Sequence, residues 1–221
     1  MEKLAQRINQ FRSLRSLATV YYWGTDGRGG FQEAVLVQRP DRLRLETLSS
    51  LGAILIVTVD GNEVVGFHPR EGIFYRGRSS KENLFHYIQI PLEIEEVTSL
   101  LLGLPPVELQ GRWQREENSI YRELGGGRTD IVTFDPTLGL PIKWERLNPD
   151  GGIELSALFS DFVSSPAGLF PLKISLDAHP QQVRLEIRYQ EPELNVALPA
   201  AIFVQERPAN VREIPLESLG G

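Results

Sequence analysis

The chain contains no cysteine. Disulfide staples, thiolate nucleophiles and cysteine-based metal sites are therefore excluded together. Only three histidines occur, His68, His86 and His179. No two of them stand at the i, i+4 spacing that seats zinc on a helix. His68 and His179 both precede proline and read as turn residues, and His86 lies within "NLFHYIQ", a helix-like run. No apolar stretch approaches the ~20 residues of a membrane-spanning helix. No G-x-S-x-G elbow and no Walker pattern occurs, and "GGGR" at Gly125–Arg128 reads as a hairpin turn. The carboxylate neighbours Glu95 with Glu96, and Glu116 with Glu117, read as solvated faces. No catalytic residue, metal site or cofactor is expected. Basic residues are scattered, and a net charge of −6 opposes nucleic-acid binding. The opening segment "MEKLAQRINQFRSLRS" is amphipathic rather than a cationic start with an apolar run, so it does not read as a signal peptide. Met1 is the only methionine. It is expected, on even terms, to be either a native start or a start placed where an export signal was removed.

What is present is ordinary globular material. Hydrophobic residues make up 41% and charged residues 24% of 221 positions, enough for one domain over residues 1–221 with a sizeable core. Leu4, Ile8, Phe11, Leu14 and Leu17 recur at three- and four-residue intervals, which predicts a helix over Leu4–Leu17. Beyond it the pattern is that of short strands. "DRLRLETL" alternates, "AILIVTV" is apolar on both faces, and "DG" at Asp60–Gly61 is a strong hairpin signal. Strand-like runs return after Val107 at roughly ten-residue spacing, as in an antiparallel meander. Val183, Leu185, Ile187 and Tyr189 alternate with Arg184, Glu186 and Arg188.

A helical insert of about residues 80–103 interrupts the strands. Ser80 opens it, Pro91 divides it and Gly103 closes it. About eleven strands and three helices are expected: a mainly β (α+β) fold built on a single antiparallel sheet. So many strands curl or close. Two outcomes follow. The barrel or sandwich is filled by its own side chains, or a curved sheet holds an apolar ligand beneath the helical insert.

Three strings carry a family resemblance. "QRPDRLRLETLSSLGAILIVTVDGNEV", "IPLEIEEVTSLLLGLPP" and the tail "YQEPELNVALPAAIFVQERP" resemble, in order and spacing, segments of the LolA/LolB family of bacterial lipoprotein carriers and receptors. The second string is closer to the LolB-type outer-membrane receptor branch. The resemblance implies an incomplete barrel, covered by an N-terminal helix and a helical lid, whose cavity takes acyl chains. It implies acylated lipoproteins or lipids as cargo and a periplasmic carrier protein as partner. The location implied is the periplasmic face of the outer membrane, or the periplasm. The receptor branch is anchored through a lipidated cysteine that this chain lacks. A monomer is expected, and a non-transporting structural or interaction lipoprotein of the same fold is the alternative.

With the inward face assigned by apolarity, the cavity face is expected to include Leu43, Leu45, Val57, Val59, Trp144, Leu155, Phe159, Ile174 and Leu176. The lid is expected to include Leu84, Ile88, Leu100 and Leu101. Arg39 stands where the carrier branch has an arginine that hydrogen-bonds the closed lid. Leu51 stands where the receptor branch has an exposed leucine on a loop that meets the membrane. Burying one leucine in lipid contributes roughly 1.5–3 kcal/mol, too little to anchor a protein. A sixteen-carbon chain gains about 12 kcal/mol on leaving water, at ~0.8 kcal/mol per methylene. A bilayer offers the same gain, so direction of transfer must come from partner affinity or cavity quality.

Overall fold

The structure, a computed structural model, describes residues 2–219. Met1, on which the export-signal expectation rests, lies outside them, as do Gly220 and Gly221. Helix α1 (Glu2–Gln10) buries Leu4 and Ile8, and its Arg7 donates to the Leu169 carbonyl across 2.7 Å. The helix ends well short of Leu17, because β1 (Ser13–Gly24) starts only three residues later. From Leu14 onward the buried residues of β1 are Leu14, Ser16, Ala18 and Val20, a period of two. Leu17 faces outward. Ser16 and Ala18 are small or polar, so counting apolar residues alone sees only the three-residue interval between Leu14 and Leu17.

The strands that follow are β2 (Gly27–Gln38), β3 (Arg42–Ser49), β4 (Gly52–Asp60), β5 (Glu63–His68) and β6 (Ile73–Arg78). Helices α2 (Lys81–Ile88) and α3 (Ile94–Leu101) form the insert. Then come β7 (Gln114–Glu116), β8 (Ser119–Glu123), β9 (Thr129–Phe134), β10 (Pro141–Leu147) and β11 (Ile153–Ser165). The series ends with β12 (Gly168–Ala178), β13 (Val183–Leu194) and β14 (Arg212–Pro215). One sheet holds all fourteen, in the order β14-β6-β5-β4-β3-β2-β1-β13-β12-β11-β10-β9-β8-β7. It is antiparallel except between β14 and β6, and it stays open, an incomplete barrel with the helices on its concave side. Of the three strands beyond eleven, two are accounted for by the edge strands β7 and β14, which have only three and four residues. Strands so short carry no readable alternation.

The hairpin at Asp60 forms as its sequence implies. The Asp60 carboxylate accepts from the amides of Asn62 and Glu63, and Gly61 takes φ 98°. The insert likewise follows local chemistry. Ser80 caps α2 by accepting from the Asn83 amide, and Glu96 reaches back to the Glu93 amide at the start of α3. Gly103 ends the segment at φ 66°, with Pro171 pressed so close that a side chain there would collide with it.

The two-sided apolar strand β4 has a different explanation on each face. Val57 and Val59 point into the core. The outer face is covered by the chain's own C-terminal segment. Gln205 donates to the Ile56 carbonyl and to Thr58, Arg44 holds the Ile202 carbonyl, and Phe203 is buried. The second apolar face of this strand is thus covered by this segment. Leu216, just beyond β14, is buried in the core, and a Cβ at Gly77 would lie 2.8 Å from it.

Candidate functional site

Between the concave sheet and the insert lies a cavity of about 240 Å³. Its sheet wall comes from β1, β2, β3, β12 and β13 through Val20, Phe31, Leu45, Leu176, Leu185 and Ile187. Its roof is the end of α2, the connector around Pro91 and the inner side of α3, including Ile88, Leu100 and Leu101. Most of the lining side chains are hydrocarbon, with Tyr22, Asp26, Glu33, Tyr87 and Gln89 the polar exceptions, so the space favours a largely apolar guest.

The expected cavity residues divide. Leu45 and Leu176 line the space. Leu43, Val57, Val59, Trp144, Leu155, Phe159 and Ile174 share the concave face but pack into the core around it. Trp144 and Leu155 border a separate void of about 10 Å³ beneath Ile90 and Leu100. Of the lid residues, Ile88, Leu100 and Leu101 reach the cavity, whereas Leu84 is buried in the core. Val20, Phe31, Leu185 and Ile187 were not among the expected residues. The alternation of β13 already carried Leu185 and Ile187, but β1 and β2 offer no clean alternation to read.

Three contacts from outside the insert hold α3 against the sheet. The buried Tyr189 hydroxyl donates to the Leu101 carbonyl at 2.8 Å. Thr98 donates to the Pro40 carbonyl. Arg146 on β10 reaches Glu96 at 2.7 Å and Asp130 on β9 at 2.9 Å, with all three side chains largely buried. Burial would lower the Arg146 pKa, but hydrogen bonds and charge from Asp130 and Glu96 raise it. Burial pushes the Asp130 carboxyl up, against the pull of Arg146. The α2 end is tied separately, by Asn83 to Glu217 at 3.1 Å and to the Arg78 carbonyl at 2.9 Å.

Arg39 is placed differently from its expected role. Its guanidinium donates to the Ile8 carbonyl of α1 at 2.6 Å, and among the described residues it has no hydrogen bond to the insert. An arginine does hold a helix-end carbonyl here, but on the N-terminal helix. The latch on the insert comes from Arg146 and Tyr189, which no sequence motif marked.

Leu51 is 85% exposed, the most exposed large apolar side chain among the described residues. It sits in the two-residue turn between β3 and β4, where Ser49 pairs with Gly52. Arg70 and the Leu51 amide both donate to the Ser49 hydroxyl, which stiffens the turn. Strand directions put this turn at the same end of the sheet as the β1–β2 hairpin. Tyr22, Asp26 and Phe31 of that hairpin line this end of the cavity, and Asp26 there is exposed to solvent. The exposed leucine and the cavity mouth thus share one end of the molecule.

No protein-family model matches the chain, and no curated protein matches it by sequence. Solved structures do match in shape. A LolA superfamily protein from Nitrosomonas europaea is 12% identical, with 92% of this chain and 97% of that chain covered and a TM-score of 0.61. The chain has a LolA-like fold. A DUF1329 family protein from Desulfovibrio piger is 13% identical over 91% of this chain and 95% of its own, with a TM-score of 0.67. A structure from Vibrio parahaemolyticus, described as an outer membrane lipoprotein-sorting protein domain, is 10% identical. It covers 91% of this chain and 94% of its own, with a TM-score of 0.65. At these identities the LolA-like fold is what is shared.

Proposed function

We propose that this protein binds the acyl chains of lipoproteins or lipids beneath α2 and α3. It receives them from, or hands them to, a membrane on the periplasmic side of the bacterial outer membrane. The observation that carries this reading is the apolar cavity roofed by a discrete helical insert. Two further features support it: the exposed Leu51 at the mouth end, and a fold shared with a lipoprotein-sorting domain. The role is binding rather than catalysis.

At about 240 Å³ the cavity falls below the ~300–1,000 Å³ of typical ligand sites. A long chain therefore enters only if the insert moves outward, and the contacts on α3 set how easily it does. Leu51 gives a receptor-type role its membrane contact, with a periplasmic carrier as donor. Transfer of a fluorescent acyl lipid between donor and acceptor vesicles tests the reading. Transfer above the protein-free rate supports it. No acceleration would point instead to a structural or interaction lipoprotein of the same fold.

A further inference from the structure

The cavity wall contains a buried carboxyl that an acyl chain does not need. On β2 the inward positions are Phe31, Glu33 and Val35, and Glu33 is only 8% exposed. Its cross-strand partners are Ala18 on β1 and Thr47 on β3. The Thr47 hydroxyl donates to it at 3.0 Å. Leu176, Leu185 and Ile187 of the sheet and Tyr87, Val97 and Leu101 of the insert line the cavity with it. No lysine, arginine or histidine lines the cavity among the described residues. The only other charged lining group is Asp26 at the mouth, which accepts from the Tyr22 hydroxyl.

A lone carboxyl in such a wall is costly, and an apolar side chain of similar size would pack there without that cost. Burial pushes the Glu33 carboxyl up to about 7, with the Thr47 hydrogen bond pulling the other way. An ionised carboxylate is acceptor-only, with about four lone-pair sites, of which Thr47 uses one. The remaining acceptor capacity faces a space walled mostly by hydrocarbon, in which the Tyr87 hydroxyl, unpaired among the described residues, lies against Gly66 on β5. A guest carrying a donor or a positive charge on its polar end satisfies that capacity. A guest ending in a carboxylate sets two like charges together in low dielectric.

We propose that Glu33 is a specificity determinant: it selects chains whose polar end carries a hydrogen-bond donor or a positive charge, and disfavours chains ending in a carboxylate. This rests on the acyl-binding reading above and names the class of guest. A chain joined through an amide qualifies, because its N–H lies one bond past the carbonyl. A free fatty acid does not.

The test uses the full chain loaded with the neutral fluorophore N-phenyl-1-naphthylamine, displaced at pH 8 by dodecylamine, dodecanol or dodecanoate. The wild type is expected to release the fluorophore at a dodecylamine concentration at least about tenfold below that needed of dodecanoate, as expected for opposite against like charge in a poorly solvated site. Glu33→Gln is expected to bring amine and carboxylate within about twofold of one another while dodecanol is unchanged. Asp26→Asn, at the exposed mouth, is expected to keep the preference. An unchanged ratio in Glu33→Gln overturns the proposal. So does a wild type that binds dodecanoate as well as dodecylamine, whether or not the variant folds. If the fluorophore binds and none of the three displaces it from the wild type, the acyl-binding reading fails instead.

Discussion

The hydroxyl of Tyr189 donates to the main-chain carbonyl of Leu101 across 2.8 Å, fully buried, and so ties the last turn of α3 to β13. Burial pushes the Tyr189 phenol well above its ordinary pKa, which keeps it protonated and donating. Tyr189→Phe removes the donor and leaves the ring in place. The expected cost is about 1–3 kcal/mol of unfolding free energy, for a buried carbonyl left unpaired. The same variant is expected to load a fluorescent acyl probe faster than the wild type. Slower or unchanged loading, read by stopped-flow fluorescence, would argue against α3 as the moving part.

Arg146 neutralises two buried carboxylates, Asp130 and Glu96. Arg146→Leu leaves both without their cation, and breaking such a pair costs about 3–5 kcal/mol. Denaturant unfolding is expected to show a loss of that size. The double change Arg146→Leu with Asp130→Leu is expected to recover part of it. A loss below about 1 kcal/mol would mean the cluster is solvated in solution.

Leu51 touches little, so Leu51→Glu is expected to shift unfolding by no more than about 0.5 kcal/mol. Partition to vesicles is expected to fall by about tenfold or more, since one leucine in lipid contributes roughly 1.5–3 kcal/mol. Co-sedimentation with vesicles reads the difference, and equal partition of the two proteins would remove the membrane role of this turn.

Glu33 also predicts a pH dependence of stability. Its carboxyl has a folded-state value of about 7 against an ordinary value of 4.5. Below 4.5 both folded and unfolded chains hold the proton, and the residue costs nothing through ionisation. Between 4.5 and about 7 the unfolded chain releases it while the folded chain keeps it, so stability falls as pH rises. By pH 8 the accumulated cost is about 3 kcal/mol. Glu33→Gln is expected to match the wild type near pH 4 and to exceed it at pH 8 by up to that amount. Parallel urea curves at both pH values would contradict the burial of this group.

Local chemistry made much of this architecture readable in advance. The alternation of β3 and β13, the Asp60–Gly61 hairpin and the Ser80, Pro91 and Gly103 boundaries of the insert all rest on neighbours in sequence. The end of α1 was not readable, because the ladder from Ser13 onward depends on β2 and β13, far along the chain. The latch was hidden for the same reason: Tyr189 and Leu101 are 88 residues apart. The concave face could be inferred from alternation, but its division into cavity wall and packed core could not. That division depends on where the insert lies against the sheet. Glu33 sits between Gln32 and Ala34 in a strand whose outward face also carries the apolar Ala34 and Leu36, so alternation does not mark it as buried.

The central claim is that a hydrocarbon chain lodges between the concave sheet and the insert. Photo-crosslinking with an acyl lipid carrying a diazirine at its tail, followed by peptide mapping, tests it most directly. The adducts are expected on Val20, Phe31, Leu45, Ile88, Leu101 and Ile187. Adducts confined to the outer face, at residues such as Leu17 and Leu158, or none above those of a heat-unfolded control, would contradict it.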